Sequence, residues 1–217
     1  MKYKFVDIGC SFFDTSIDVH GLDVDGLLVE PLEPAFNLLP SSDTVKKINV
    51  GISDKAGIGI LNMSDHSAFP TEYLSKDEIK KLEEHVRHPL LYSGGATLSN
   101  THMYVHNLNL SYECKLITFY ELCQQYDITE IDYLNIDTEG HEIIILTQVF
   151  DLLKQGKLKI NHKITFEYND LCDRTALDEF CKESEQYGFR YEVVHEDWNL
   201  DMVLTKTNLI PAKNTFE

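Results

Sequence analysis

Residues 137 to 142 read DTEGHE, which sets Asp137, Glu139, His141 and Glu142 almost side by side. A carboxylate beside an imidazole can position a hydroxyl and take up its proton. Clustered carboxylates can instead hold a hard cation such as Mg²⁺, which lowers the pKa of a bound hydroxyl. Residue types alone leave base and metal open, so no metal ligands are assigned. A plainer role for Glu139 or Glu142 is to cap a helix N-terminus, where negative charge is favoured.

A second group lies near the start of the chain. In VDIGCS an apolar run ends at Asp7 and turns at Gly9. Glycine lets the backbone approach a ligand, and a helix start offers free N–H groups. Glu30 ends the next apolar run, before Pro31 and 23 residues after Asp7. Nucleotide-binding α/β folds place an acidic residue about 20 residues downstream of the first turn, where it accepts ribose hydroxyls. Asp7, Gly9 and Glu30 together point to an adenosine-containing cofactor. NAD and S-adenosylmethionine both remain open at this point. Neither GxGxxG nor a P-loop is present, which lowers NAD and ATP. A third carboxylate, Glu167, closes the run KITFE.

Those residues need a frame. The chain has 217 residues, enough for one domain with an insertion. Its formal net charge of −17 argues against a nucleic-acid partner and against an anionic membrane surface, since both call for clustered Lys and Arg. No apolar stretch approaches the ~20 residues of a membrane span. MKYKFVDIG does not read as a signal peptide. Five cysteines at irregular spacing, with no CxxC pair, read as reduced thiols in a cytoplasmic protein. All but Cys10 are expected to be small buried hydrophobes.

Apolar runs at 2–9, 26–31, 45–53 and 57–63 predict strands, and ECKLITF predicts another over 113–119. Thr118 and Glu121 make a capping box before FYELCQQY. A strand is predicted over about 131–137 and a helix over about 141–154, with Gly156 just past its end. KITFEYND predicts a strand over 163–170, TALDEFCKESEQY a helix ended by Gly188, and FRYEVVHED with NLDMVLTK an antiparallel pair. Alternating strands and helices predict a doubly wound α/β sheet whose last strand is reversed. Ligands then bind at the strands' carboxyl ends, along a rim of Asp7, Glu30, residues 49–53, Asp137 and Glu167. Residues 64–113 form a long excursion. It contains a capped helix pattern (Ser75, Glu78, then Ile79, Leu82 and Val86) and is a lid candidate.

Three segments in one order, VDIGCS, LLVEP and DYLNIDTEGHE, make the chain resemble the FkbM family of S-adenosylmethionine-dependent methyltransferases. The resemblance runs from about residue 5 to residue 170, and IDTEGHE is its most specific piece. It implies a class I methyltransferase-like Rossmann fold, a seven-stranded, mostly parallel sheet with the last strand antiparallel. It also implies roles. Asp7, Gly9, Cys10 and Ser11 would cradle the methionine part of the cofactor, and Glu30 with Pro31 would hold the ribose. Gly51, Ile52 and Ser53 would approach the adenine. Asp137 would face the methyl group, with His141 and Glu139 as catalytic partners and Glu167 toward the substrate. Two positions depart from the family's DxGxNxG: Ser11 stands for the asparagine and Phe13 for the second glycine. The excursion is also longer than expected, and no N-terminal helices precede the first strand.

The expectation is an O-methyltransferase acting on a hydroxyl of a sugar or glycan, with Mg²⁺ undecided and a homo-oligomer possible. Two rivals remain. One is a degenerate methyltransferase fold serving as a binding or assembly subunit. The other is a methyltransferase with a non-sugar acceptor.

Overall fold

The structure is a computed structural model that describes residues 1–11, 16–64, 98, 108–168, 173–196 and 199–207. The chain order is β1 (Lys2–Ile8), α1 (Ser16–His20), β2 (Gly26–Val29), α2 (Glu33–Leu38), β3 (Val45–Ile48), β4 (Gly51–Ile52), β5 (Gly57–Ser64), β6 (Leu108–Ile117), α3 (Phe119–Gln125), β7 (Glu130–Ile136), α4 (Glu142–Lys154), β8 (Lys159–Glu167), α5 (Arg174–Ser184), β9 (Phe189–Glu196) and β10 (Asn199–Lys206). Position 13 and the helix pattern at 75–86 lie outside the described residues.

Seven strands form the main sheet in the order β3-β2-β1-β7-β8-β10-β9. The first five are parallel, and β10 runs antiparallel between β8 and β9. This is the expected doubly wound sheet with its last strand reversed. The central strands read as continuous apolar runs because both faces are covered. On one face, Phe119 and Leu122 of α3, Ile145 and Val149 of α4, and Leu177 of α5 pack with Ile131, Ile164 and Phe166. On the other, Phe5, Leu28 and Val45 pack with Ile17 of α1 and Phe36 of α2. Burial at about 25 cal/mol per Å² makes these two layers the main stabilising term.

Local signals set the helix ends. Thr118 and Glu121 form the reciprocal capping box at α3. Asp173 caps α5 by accepting from the amides of Thr175 and Ala176. A short 3₁₀ turn follows α5, and Gly188 then takes a left-handed conformation. The four described cysteines, Cys10, Cys114, Cys123 and Cys181, are free and buried.

Two strand expectations change. The run 45–53 is split rather than continuous. The side-chain NH₂ of Asn49 donates to the carbonyls of Glu30 and Pro31, at 2.8 and 3.0 Å. It occupies acceptors a continuing strand would use, and Gly51–Ile52 pairs instead with Leu116–Ile117 of β6. β6 itself begins at Leu108, five residues earlier than predicted, within a glycine- and asparagine-rich stretch that reads as a loop or an irregular hairpin. Antiparallel pairing with β5 along its length overrides that weak local preference. β4, β6 and β5 thus make a second, three-stranded sheet. Its Leu61, Cys114 and Leu116 pack on Leu32 and on Ala35 of α2.

The main-sheet register carries the functional consequence. Ile8 pairs with Val29 and Ile136, Val29 with Ile48, and Ile136 with Phe166. The residues one step further on therefore form a row across five strand ends: Asn49, Glu30, Gly9, Asp137, Glu167. At its centre the two loops interlock. The amide of Asp137 donates to the carbonyl of Ile8 at 2.9 Å. A Cβ on Gly9 would lie 1.7 Å from the carbonyl oxygen of Asp137, and Gly9 has φ +80°. The sequence reading assigned this glycine to ligand approach; the structure shows it making room for the neighbouring strand's end.

Gly9→Ala is expected to cost at least ~3 kcal/mol, combining left-handed strain with a backbone clash. Denaturant unfolding measures this. A loss below ~1 kcal/mol would show that the loops do not depend on the missing side chain.

Candidate active site

A cavity of about 310 Å³ opens at this rim. Gly9, Cys10, Ser11, Glu30, Pro31, Gly51, Ile52, Asp137, Glu139, His141 and Glu167 all line it. Both expected groups thus meet in one space, although more than 100 residues separate Gly9 from Asp137. The volume falls at the small end of the range for ligand pockets.

Asp7 and Ser53 are placed behind the wall rather than on it. Asp7 is fully buried. Its carboxylate accepts from the amide of Ser16 at the start of α1 (2.8 Å) and from the side-chain NH₂ of Asn135 on β7 (3.0 Å). It ties β1 to the helix start and to the adjacent strand. Ser53, 5 % exposed, holds the edge of the small sheet. Its amide donates to Ile117, and its carbonyl accepts from Gln148 of α4.

Glu30 is 6 % exposed. One carboxylate oxygen accepts from the amide of Ser11 at 2.8 Å and the other from the amide of Leu32 at 2.7 Å. The side chain therefore joins the first turn of the site to the second. Burial pushes its carboxyl up to about 7 and the charge of Asp7 adds to this, while the two amides oppose it. Cys10 is raised further, by burial first and then by Asp7 and Glu30, so it lines the cavity as a protonated thiol.

Asp137, Glu139 and Glu167 each bring one carboxylate oxygen within 4.8 Å of the others. Three anionic oxygens at this spacing match the donor chemistry of a hard cation. The loop below them is tightly set: Glu139 has φ +53° and Gly140 φ +108°. Ser11, across the cavity, has φ +49°. Each non-glycine residue in this region carries about 1–2 kcal/mol of strain, and both sit on the cavity wall.

His141 precedes α4 without capping it. Burial pushes its imidazole below the usual value, partly offset by Glu142 and Asp54, so the ring is neutral at pH 7. The Ser53 hydroxyl donates to Asp54 at 3.2 Å and lies 3.5 Å from Nε2 of His141. Among the described residues, Nδ1 is buried without a hydrogen-bond partner.

Sequence reasoning missed the apolar wall: Leu32 and Ala35 beside α2, Val50, Leu61 of β5, and Leu98. Leu98 comes from the excursion. The signal that could have found Leu32 and Ala35 is their tight sequence spacing after Glu30, which carries a helix past that carboxylate.

A seven-stranded sheet reversed only at its last strand, with a cavity at the carboxyl rim, defines an α/β protein of the class I methyltransferase kind. The chain belongs to the methyltransferase FkbM domain family, whose sequence model matches residues 12–191. Among solved structures it is similar to one described as "Human methyltransferase 10 domain containing protein". That match has a TM-score of 0.43 at 12% identity and covers 95% of this chain and 72% of the other. It is also similar to the delta-N METTL16 MTase domain, with a TM-score of 0.42 at 13% identity, covering 94% and 71%. No curated protein matches the chain. Among the described residues, no helix is long and apolar enough to cross a membrane.

The buried Glu30 carboxyl sets a pH dependence. Its folded value lies above the ordinary one, so its contribution to stability is full below about pH 4.5 and is lost as pH rises through about 7. Thermal unfolding of the ligand-free protein is expected to weaken over that window by at most ~3 kcal/mol from this group. Glu30→Gln should flatten the slope. An unchanged slope in the variant would remove Glu30 as its source.

Proposed function

We propose that the protein is an S-adenosylmethionine-dependent O-methyltransferase that acts on a hydroxyl of a sugar or glycan. One observation carries the reading. The row Glu30, Gly9, Asp137, Glu167 brings the buried carboxylate beside the first turn and the acidic Asp137 loop to one cavity, which supports a cofactor half next to an acceptor half. Gly9, Cys10 and Ser11 would receive the methionine end of the cofactor. Glu30 would accept the ribose hydroxyls on the lone pairs its two amide partners leave. The adenine would lie against Leu32, Ala35, Ile52 and Leu61.

The cofactor supplies an electrophilic methyl carbon on a sulfonium. Everything else falls to the chain. Asp137 and Glu139 would orient the acceptor hydroxyl so that oxygen, carbon and sulfur lie in line, and such positioning supplies much of the rate. The hydroxyl proton would pass to Asp137 or to His141 as the methyl group is transferred. Glu167 would bind a neighbouring sugar hydroxyl. The three carboxylates would also suit Mg²⁺, so the test includes it as an added component.

Calorimetric titration of metal-free protein with S-adenosylhomocysteine is the first test. Micromolar binding that Glu30→Ala abolishes supports the cofactor assignment. No binding by folded wild-type protein, with or without Mg²⁺, would turn the reading toward a binding or assembly subunit. With binding established, Asp137→Ala is expected to abolish methyl transfer to a sugar acceptor and leave that affinity within ~3-fold. Turnover only on non-sugar acceptors would correct the substrate class.

A further inference from the structure

Glu142 is fully buried although its side chain is ionisable and sits at the first position of α4. Its carboxylate turns back toward the loop before the helix. One oxygen accepts from both the amide and the hydroxyl of Thr138, at 2.9 and 2.8 Å. The other accepts from the amide of Gly140 at 3.0 Å. The three bonds bracket Glu139 and begin immediately after Asp137. On the far side, the amide of Asp137 is held by Ile8 and its carbonyl fills the space beside Gly9. The backbone that carries the two acidic side chains is thus held at both ends. The Glu142 clamp also holds Glu139 in its left-handed conformation, which would relax in a loop without such bonds.

We infer that Glu142 is a positioning residue that fixes where the Asp137 and Glu139 carboxylates stand in the cavity, acting through the amides of Thr138 and Gly140. A glutamate is the required residue because both of its carboxylate oxygens must accept. A glutamine in its place would turn an NH₂ toward one of those N–H donors, and an aspartate would fall a methylene short. The inference rests on the methyltransferase reading for its kinetic part only. Glu142 does not line the cavity, so its loss would act on turnover and leave the cofactor half, built on Gly9, Ser11 and Glu30, as it is.

Two readouts on Glu142→Gln test this. Amide hydrogen exchange is expected to accelerate at Thr138 and Gly140, with exchange in β1 and β7 unchanged. Methyl-transfer kcat is expected to fall ~10- to 100-fold, with acceptor KM and S-adenosylhomocysteine affinity within about threefold. Unchanged exchange at the two amides would overturn the clamp. Faster exchange with unchanged kcat would overturn its part in positioning, as would a loss of kcat that merely parallels lost cofactor affinity. Should Glu142→Gln fail to fold, Thr138→Val removes the hydroxyl bond, and because Thr138 also lines the cavity, amide exchange at Gly140 is read beside kcat and is expected to accelerate. The valine variant is expected to lower kcat several-fold, and Thr138→Ser to restore it; equal activity in the two would sink the idea. A wild-type protein that binds S-adenosylhomocysteine but methylates no acceptor counts against the functional reading, and the exchange measurement then decides the clamp by itself.

Discussion

The site depends on a contact between two strand ends. The carbonyl of Asp137 occupies the volume where Gly9 would carry a side chain, and the amide of Asp137 bonds to Ile8. Parallel strands do not by themselves bring their outgoing loops together, because each loop must leave for its own crossover helix. Here the missing Cβ lets the loops from β1 and β7 touch before they part. The two halves of the cavity are then separated by the width of adjoining strands. A larger residue at position 9 would push the acidic loop away from the turn at Ser11.

Around that contact the chain solves one electrostatic problem three times. Asp7, Glu30 and Glu142 are carboxylates buried within a strongly acidic protein. Each accepts from backbone amides: Ser16 for Asp7, Ser11 and Leu32 for Glu30, Thr138 and Gly140 for Glu142. An amide supplies a positive dipole end without the side-chain entropy of Lys or Arg, and the bond fixes the donor loop as well as the charge. Two amides leave Glu30 raised to about 7, because burial outweighs them. The carboxylate that faces the cavity is the one left ready for further donors, such as a pair of ribose hydroxyls.

How far the sequence showed this depends on the kind of interaction. The row Glu30, Gly9, Asp137, Glu167 was legible because each member ends an apolar run, and in a parallel sheet such ends align. The antiparallel pair at the close was legible because its two apolar runs are adjacent in sequence with no helix pattern between them. The capping box of Thr118 and Glu121 is purely local and came through intact. The split at Asn49 did not, since it depends on which carbonyls a side chain finds in space. β6 was shortened because Asn and Ser in its first half hide a strand that exists only through its pairing with β5. Gly9 and Glu142 were legible as single residues, but their hold on the backbone of the Asp137 loop was not, since it depends on which groups meet in space.

The split at Asn49 also explains why the cavity has an apolar wall. A third strand continuing straight along β2 would leave only polar strand ends at the rim. Instead the Asn49 side chain takes the carbonyls of Glu30 and Pro31, and the chain turns into the small sheet. Ile52 and Leu61 are carried over the rim, and Leu116 packs beneath them against Gly51 and Gly59, where any side chain would collide with it. Polar groups come from the main sheet and apolar ones from the second sheet and α2. A ligand with one charged or hydroxylated end and one flat, apolar end finds a matching surface for each. The Asn49 hydrogen bonds to the backbone of Glu30 and Pro31, together with Ile52 and Ile117 packed in the main core, set the spacing between those surfaces.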